Sequence, residues 1–206
     1  MPHLVRARAL LGAALLLAAG CGVTGSSDVT APATGSRLPP ATTAPATTAP
    51  DGTTYNAADV MFTQMMVAHH GQGIEIVRLA STRASSADVK TLAAAVEATQ
   101  TAEVKTMSGW LRTWRKPATA AANEHAAHGG MPGTSNIEIR ALKAKTGDTF
   151  DRAFLNMLIA HQDDAIQMAR AETAAGANPE ATGLAKRIDE SRTAQIAQML
   201  TMLGQG

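Results

Sequence analysis

Two methionine–histidine pairs, Met65 with His69 and Met157 with His161, carry the most specific chemistry in this sequence. In each pair the residues stand at i and i+4, so on an α-helix a thioether and an imidazole lie one above the other on one face. Both groups are ligands for soft or borderline metal ions. The pairs are themselves a repeat. At a constant offset of 92 residues Asp59, Phe62, Met65, Ala68, His69, Ile74 and Arg78 meet identical residues. The register continues through Leu92 and Leu184, Val96 and Ile188, Val104 and Ile196, Met107 and Met199, and Leu111 and Leu203. The repeated unit is therefore a pair of helices, not a short motif.

For the pairs to act together, their helices must turn them inward. On a wheel of about 100° per residue, Phe62, Met65, Met66, Gly73, Ile76, Val77 and Ala80 fill one apolar arc, while Gln64, Gly71, Glu75 and Arg78 mark the opposite side. His69 falls near the centre of the arc and His70 at its edge; in the second copy His161 falls between Phe154, Met157 and Met168. Gly71 and Gly73 lower helix propensity but allow another backbone or a ligand to come close. Burying an unpaired imidazole costs about 1–3 kcal/mol. Two core-facing histidines at equivalent positions, each with Met one turn earlier, thus favour ligation over mere packing. The competing reading makes Met and His duplicated core residues of a metal-free cell-surface interaction module.

The elements that hold these residues read as follows. Asn56 followed by Asp59 predicts a helix start, and the pattern runs to about Ala80. After the polar Ser81 to Ser86, a second helix runs from Ala87 to Trp114, ahead of Pro117. Asp148 with Asp151 repeats the first cap, and the third helix runs to about Ala175 with Gly176 as its C′ residue. Asn178-Pro179-Glu180 reads as cap, first helical residue and first-turn acid of a last helix to Leu203. The expectation is an all-α, four-helix bundle of two repeated helical pairs over residues 55–206, with a crossover at about 115–147 that contains a shorter helix, Asn136 to Lys145. Strand patterns are almost absent, and Trp110 with Trp114 predicts packing at the bundle end.

The crossover holds a second cluster, His125, His128 and Met131, among Gly and Ala. It reads equally as a flexible metal-closing segment and as a solvated linker. There is no Glu-x-x-His, Gly-x-Ser-x-Gly, His-Glu-x-x-His, phosphate-binding glycine loop or cysteine pair, so no catalytic residue is assigned.

The first 20 residues read as an export signal: Arg6 and Arg8, an apolar run from Ala9 to Ala19, then small residues before Cys21. That run is too short to span a bilayer, which needs about 20 apolar residues. Cys21, the only cysteine, is read as a lipidated mature N-terminus, leaving the protein anchored on the outer face of the bacterial cell membrane. Residues 21–54 are rich in Thr, Ala and Pro and read as a disordered tether. Of the 18 Lys and Arg residues, Arg6 and Arg8 leave with the signal, and the remaining 16 nearly balance 17 acids. Such a balance gives no reason to expect nucleic acid as a partner.

Asp-x-x-Phe-x-x-Met-x-x-x-His at 59–69 and again at 151–161, with Ala-Ile-x-Met-Ala at 165–169, closely resembles the bacterial family described as domain of unknown function 305. The resemblance spans about Asn56 to Leu203. It implies a ferritin-like four-helix bundle of exported proteins, some of whose members handle copper. Carried over residue by residue, it makes Met65, His69, His70, Met157 and His161 the expected ligands, with Met168 beside them. The chain departs from the family at Gln162, where a second His is usual, and at Thr134, where Met is usual. Thioether and neutral imidazole suit Cu(I) better than hard cations. The resulting expectation is a lipid-anchored protein that buffers or delivers copper, preferentially Cu(I), without an organic cofactor.

Overall fold

A computed structural model describes residues 45–119 and 133–204. The signal sequence, Cys21, the first part of the tether and the crossover cluster of His125, His128 and Met131 lie outside the described residues. In chain order the elements are β1 (Thr47–Thr48), β2 (Thr54–Tyr55), α1 (Ala57–Arg78), the single turn α2 (Ala80–Arg83), α3 (Ala87–Thr113), α4 (Asn136–Lys143), α5 (Gly147–Ala175) and α6 (Pro179–Gly204). Helix α1 packs chiefly on α3 and α5 on α6, and α1 joins the two pairs through α5. This is the all-α four-helix bundle that the repeat implies, with the ferritin-like fold that the family resemblance implies. Among the described residues no helix is long and apolar enough to cross a membrane.

Helix ends follow local chemistry. The Asn56 side chain accepts from Asp59 N while the Asp59 carboxylate accepts from Asn56 N at 2.6 Å, a reciprocal cap on α1. Asn178 Oδ1 accepts from Glu180 N and Ala181 N at 3.0 and 2.9 Å, capping α6 as expected. The start of α5 differs from expectation: its N-cap is Thr146, without a side-chain cap bond. Asp151 reaches across the bundle instead, accepting from Ser85 N at 3.2 Å and Ser86 N at 2.8 Å. Asp59 does the same in the other direction, accepting from Ala177 N at 3.1 Å and Asn178 N at 2.9 Å. The repeat offset carries Ser85 and Ser86 onto Ala177 and Asn178. The first helix of each pair thus holds the connection of the other, where free N–H groups at a helix start favour an anion.

Each half contributes to two apolar clusters related by the same offset. One contains Ile76, Leu92, Val96, Phe154, Leu158 and Met199, the other Phe62, Met66, Met107, Met168, Leu184 and Ile188. Fully burying one such side chain contributes about 1.5–3 kcal/mol, so the clusters dominate stability. Along every long helix, polar residues stand between the stretches that enter the two clusters.

Several expectations change. Residues 45–54, read as tether, carry part of a hairpin in which Thr47 pairs with Tyr55 and Thr48 with Thr54. Tyr55 stacks on Trp114 with centroids 4.9 Å apart, and Ala49 is buried with Leu111 and Ala181. The paired residues are Thr and Tyr, which favour strands, and the Tyr55–Trp114 contact ties the hairpin to the bundle. Gln64 is buried, its Nε2 donating to Pro117 O at 2.9 Å. Gly71 meets open space, whereas a Cβ on Gly73 would run into the Gln100 amide and lie 2.8 Å from His161 Nε2. Gly176 ends α5 in extended conformation, φ −67 and ψ 148, so no left-handed turn requires it. A Cβ there would press on the Glu172 carboxyl group and come within 2.9 Å of Asp59 Oδ1.

Candidate metal centre

The polar positions between the apolar clusters form one layer across the bundle. Helix α1 supplies His69 and His70, α3 supplies Gln100 and Glu103, α5 supplies His161 and Gln162, and α6 supplies Arg192 and Gln195. All except the partly exposed Glu103 and Gln195 are buried. His70 is as buried as His69, because α3 and α6 close over the side of α1 that the wheel left at the edge of the arc.

His69 and His161 meet at the middle of this layer. Their rings stack with centroids 3.8 Å apart and planes 13° from parallel, and His70 stands 6.2 Å from His69, tilted by 54°. Burial, then the neighbouring histidines, hold His69 down to about 2, and burial, then His70, holds His161 to about 4. Burial likewise lowers His70, against the opposing pull of Glu103. The neutral rings keep lone pairs free for an ion with no proton to displace.

Several polar atoms of this layer have no hydrogen-bond partner within the protein. Both ring nitrogens of His69, Nδ1 of His70, Nε2 of His161 and both amide atoms of Gln100 are buried without a hydrogen-bond partner. His161 Nδ1 meets Thr134 Oγ1 at 3.4 Å. Thr134 is held by Gln72, whose amide donates to Thr134 O at 2.7 Å and accepts from Thr134 N at 2.8 Å. Beside this contact a cleft of about 420 Å³ is lined by Ala68, His69, Gln72 and residues 133–136. It brings open space up to His69.

The expected thioethers divide between the two clusters. Met65 and Met168 share the cluster with Phe62, while Met157 is half-buried against the cluster that contains Phe154 and Leu158. Among the described residues no three His, Cys, Asp or Glu side chains converge as a metal site. The donors gathered in the layer are therefore imidazoles, with Met65 and Met157 one helical turn before His69 and His161. That set fits a soft ion and not a hard one. Glu103, Arg192, Gln100 and Gln195 escaped the sequence reading; their signal is that polar residues recur at both copies of positions flanked by buried apolar residues.

The family profile for a domain of unknown function, DUF305, matches residues 59–203. No curated protein matches the chain. Among solved structures, a DUF305 protein from Streptomyces coelicolor is similar over 72% of this chain and 93% of its own, with 25% identity and a TM-score of 0.69. A DUF305 fragment from Deinococcus radiodurans is similar over 73% of this chain and 98% of its own, with 26% identity and a TM-score of 0.64. CopM in its Cu(I)-bound form is similar over 71% of this chain and 96% of its own, with 27% identity and a TM-score of 0.58; CopM has also been solved with Cu(II), with Ag and in the apo form. With the profile covering both helical pairs and these folds superposing on the same bundle, the chain belongs to the DUF305 family.

Proposed function

We propose that this protein is an exported copper-binding protein that buffers or delivers Cu(I), held at the outer face of the cell membrane through lipidated Cys21. The observation that carries the reading is the set of buried, unpartnered nitrogens on His69, His70 and His161 in the middle of the bundle. A protein gains nothing by leaving such groups unpaired, at about 1–3 kcal/mol each, unless something else uses them. The ligands assigned are Met65, His69, His70, Met157, His161 and Met168. The similarity to CopM, solved with Cu(I), supports copper as the ion.

The test is titration of the full mature chain with Cu(I) against a competing chromophoric chelator. His69→Gln or His161→Gln should sharply weaken uptake and leave the apo fold nearly intact. Uptake by wild type no greater than by the His69→Gln/His161→Gln double variant would remove the copper reading and leave a metal-free interaction module. Loss confined to variants of His125 and His128 would move the site to the crossover. For the anchor, mass spectrometry of the native protein should find a diacylated Cys21; an unmodified cysteine on a released chain would disprove it.

A further inference from the structure

The two halves of the polar layer are built from different chemistry on related positions. In the first, His70 Nε2 bonds Glu103 Oε2 at 2.7 Å, and Arg192 Nη2 donates to the same oxygen. The His70 and Arg192 side chains are fully buried and Glu103 is 12% exposed. The repeat offset carries His70 onto Gln162, Glu103 onto Gln195, and Gln100 onto Arg192. In the second half, Gln162 Nε2 donates to Gln195 Oε1 at 2.5 Å, and Gln100 occupies the place that corresponds to Arg192. One half is ionic and the other is made only of amides, yet both lie between the same two apolar clusters.

The molecule therefore contains its own control. The amide half makes a single hydrogen bond, Gln162 to Gln195, and leaves Gln100 unpartnered, yet the bundle closes over it, so the fold does not demand charge at this level. Burying ions is costly, and replacing a buried ionic network with neutral groups is often neutral or stabilising. The ionic trio needs a reason beyond the fold, and the bond directions supply one. A carboxylate that already takes an arginine bond can only accept from His70, so the proton sits on Nε2. His70 Nδ1 then carries the free lone pair, and it is buried with no partner. A carboxylate behind an imidazole fixes ring and tautomer and raises donor strength toward a metal.

We infer that Glu103 is a positioning residue of the copper site, held in place by Arg192, and that it presents His70 Nδ1 to the ion, so that the first helical pair is the stronger binding arm. The inference rests on the copper reading above. It assigns Gln162 and Gln195 to the weaker arm, where His161 has no second imidazole beside it.

The test uses the full mature chain and Cu(I). Glu103→Gln alone would strand the buried Arg192, so the working variant is Glu103→Gln/Arg192→Gln, which copies the amide half. It should fold, and its Cu(I) affinity should fall about 10–100-fold. In a His70→Gln background the same two substitutions should change affinity by less than about twofold, because their effect passes through His70. Long-range proton–nitrogen correlation spectra of the apo protein give a readout that a merely structural role would not move. His70 should be protonated only at Nε2 in wild type and become a tautomer mixture in the double variant. A folded double variant with wild-type affinity and an unchanged tautomer would overturn the inference while leaving the copper reading intact. A double variant that cannot fold would show the trio to be structural and would overturn it too. A wild type that takes up no Cu(I) would remove both.

Discussion

His69 and His161, 92 residues apart in sequence, lie face to face with ring centroids 3.8 Å apart and planes 13° from parallel. Imidazole lone pairs lie in the ring plane, so two parallel rings at this distance point their donors alongside one another and cannot converge on a single ion. Binding through both rings requires one of them to turn, with the cleft beside Gln72 and Thr134 as the available space.

The first prediction follows from that geometry. Stacked rings shift each other's carbon-bound protons by ring currents, and adding Cu(I) to the mature chain should change these shifts for both His69 and His161. The His69→Gln variant should show the His161 signals already unstacked before any metal is added. If Cu(I) binds wild type tightly and both sets of ring signals stay where they were, the ion sits elsewhere.

The second concerns the carboxylates that tie the pairs together. Asp151 accepts from Ser85 N, Ser86 N and Ser85 Oγ, all on the connection between α2 and α3. Hydrogen bonds to a charged group contribute about 1.5–3 kcal/mol, and Asp151→Asn keeps the shape while removing the charge. Chemical denaturation should show a loss of about 2 kcal/mol, with a smaller loss for Ser85→Ala. A change within error for Asp151→Asn would mean that the cross-pair bonds are replaced by water at no cost.

The bundle was legible because each level of the chain agrees. The caps at Asn56 and Asn178, the stop near Pro117 and the ungapped repeat all point to the same four helices. The histidine pair was legible for the same reason, since a repeat preserves which face looks inward. Its surroundings were not. Gln64, Gln100 and Arg192 are buried polar residues, and a polar side chain on a helix ordinarily signals solvent. Asp59 and Asp151 match in sequence, but a local cap and a partner on another helix leave the same trace. The hairpin at Thr47 to Tyr55 has a local signal in its Pro50-Asp51-Gly52 turn, but its docking through Tyr55 on Trp114 is a contact that no local pattern encodes.

The third prediction is a pH dependence. Burial first, then the Asp59 carboxylate, push Glu172 up to about 9 from its ordinary 4.5. Between those values the folded protein holds a proton that the unfolded chain has released, so stability falls as pH rises. The contribution is complete below about 4.5, declines through the window and is lost above about 9. Histidines, with an unfolded value near 6.5, do not titrate in the upper part of that window. Denaturation between about pH 7 and 9 should show wild type losing stability and Glu172→Gln remaining flatter. Parallel curves for the two proteins would rule out a protonated Glu172.

The fourth sets two glycines of α1 against each other. Replacing glycine with alanine inside an exposed helix gains about 0.8–1.0 kcal/mol of propensity. Gly71 is exposed and meets nothing within 4 Å, so Gly71→Ala should raise stability by up to that amount. Gly73 carries the same propensity gain, but its new Cβ would press on the Gln100 amide and sit 2.8 Å from His161 Nε2. Overpacking a filled core costs about 1–3 kcal/mol, and the stacked His161 ring has little room to yield. Gly73→Ala should therefore come out destabilised relative to Gly71→Ala and should also weaken Cu(I) uptake by displacing His161. Equal stabilisation by both substitutions, with uptake unchanged, would mean that His161 and Gln100 move aside freely and that close approach at Gly73 serves neither the fold nor the site.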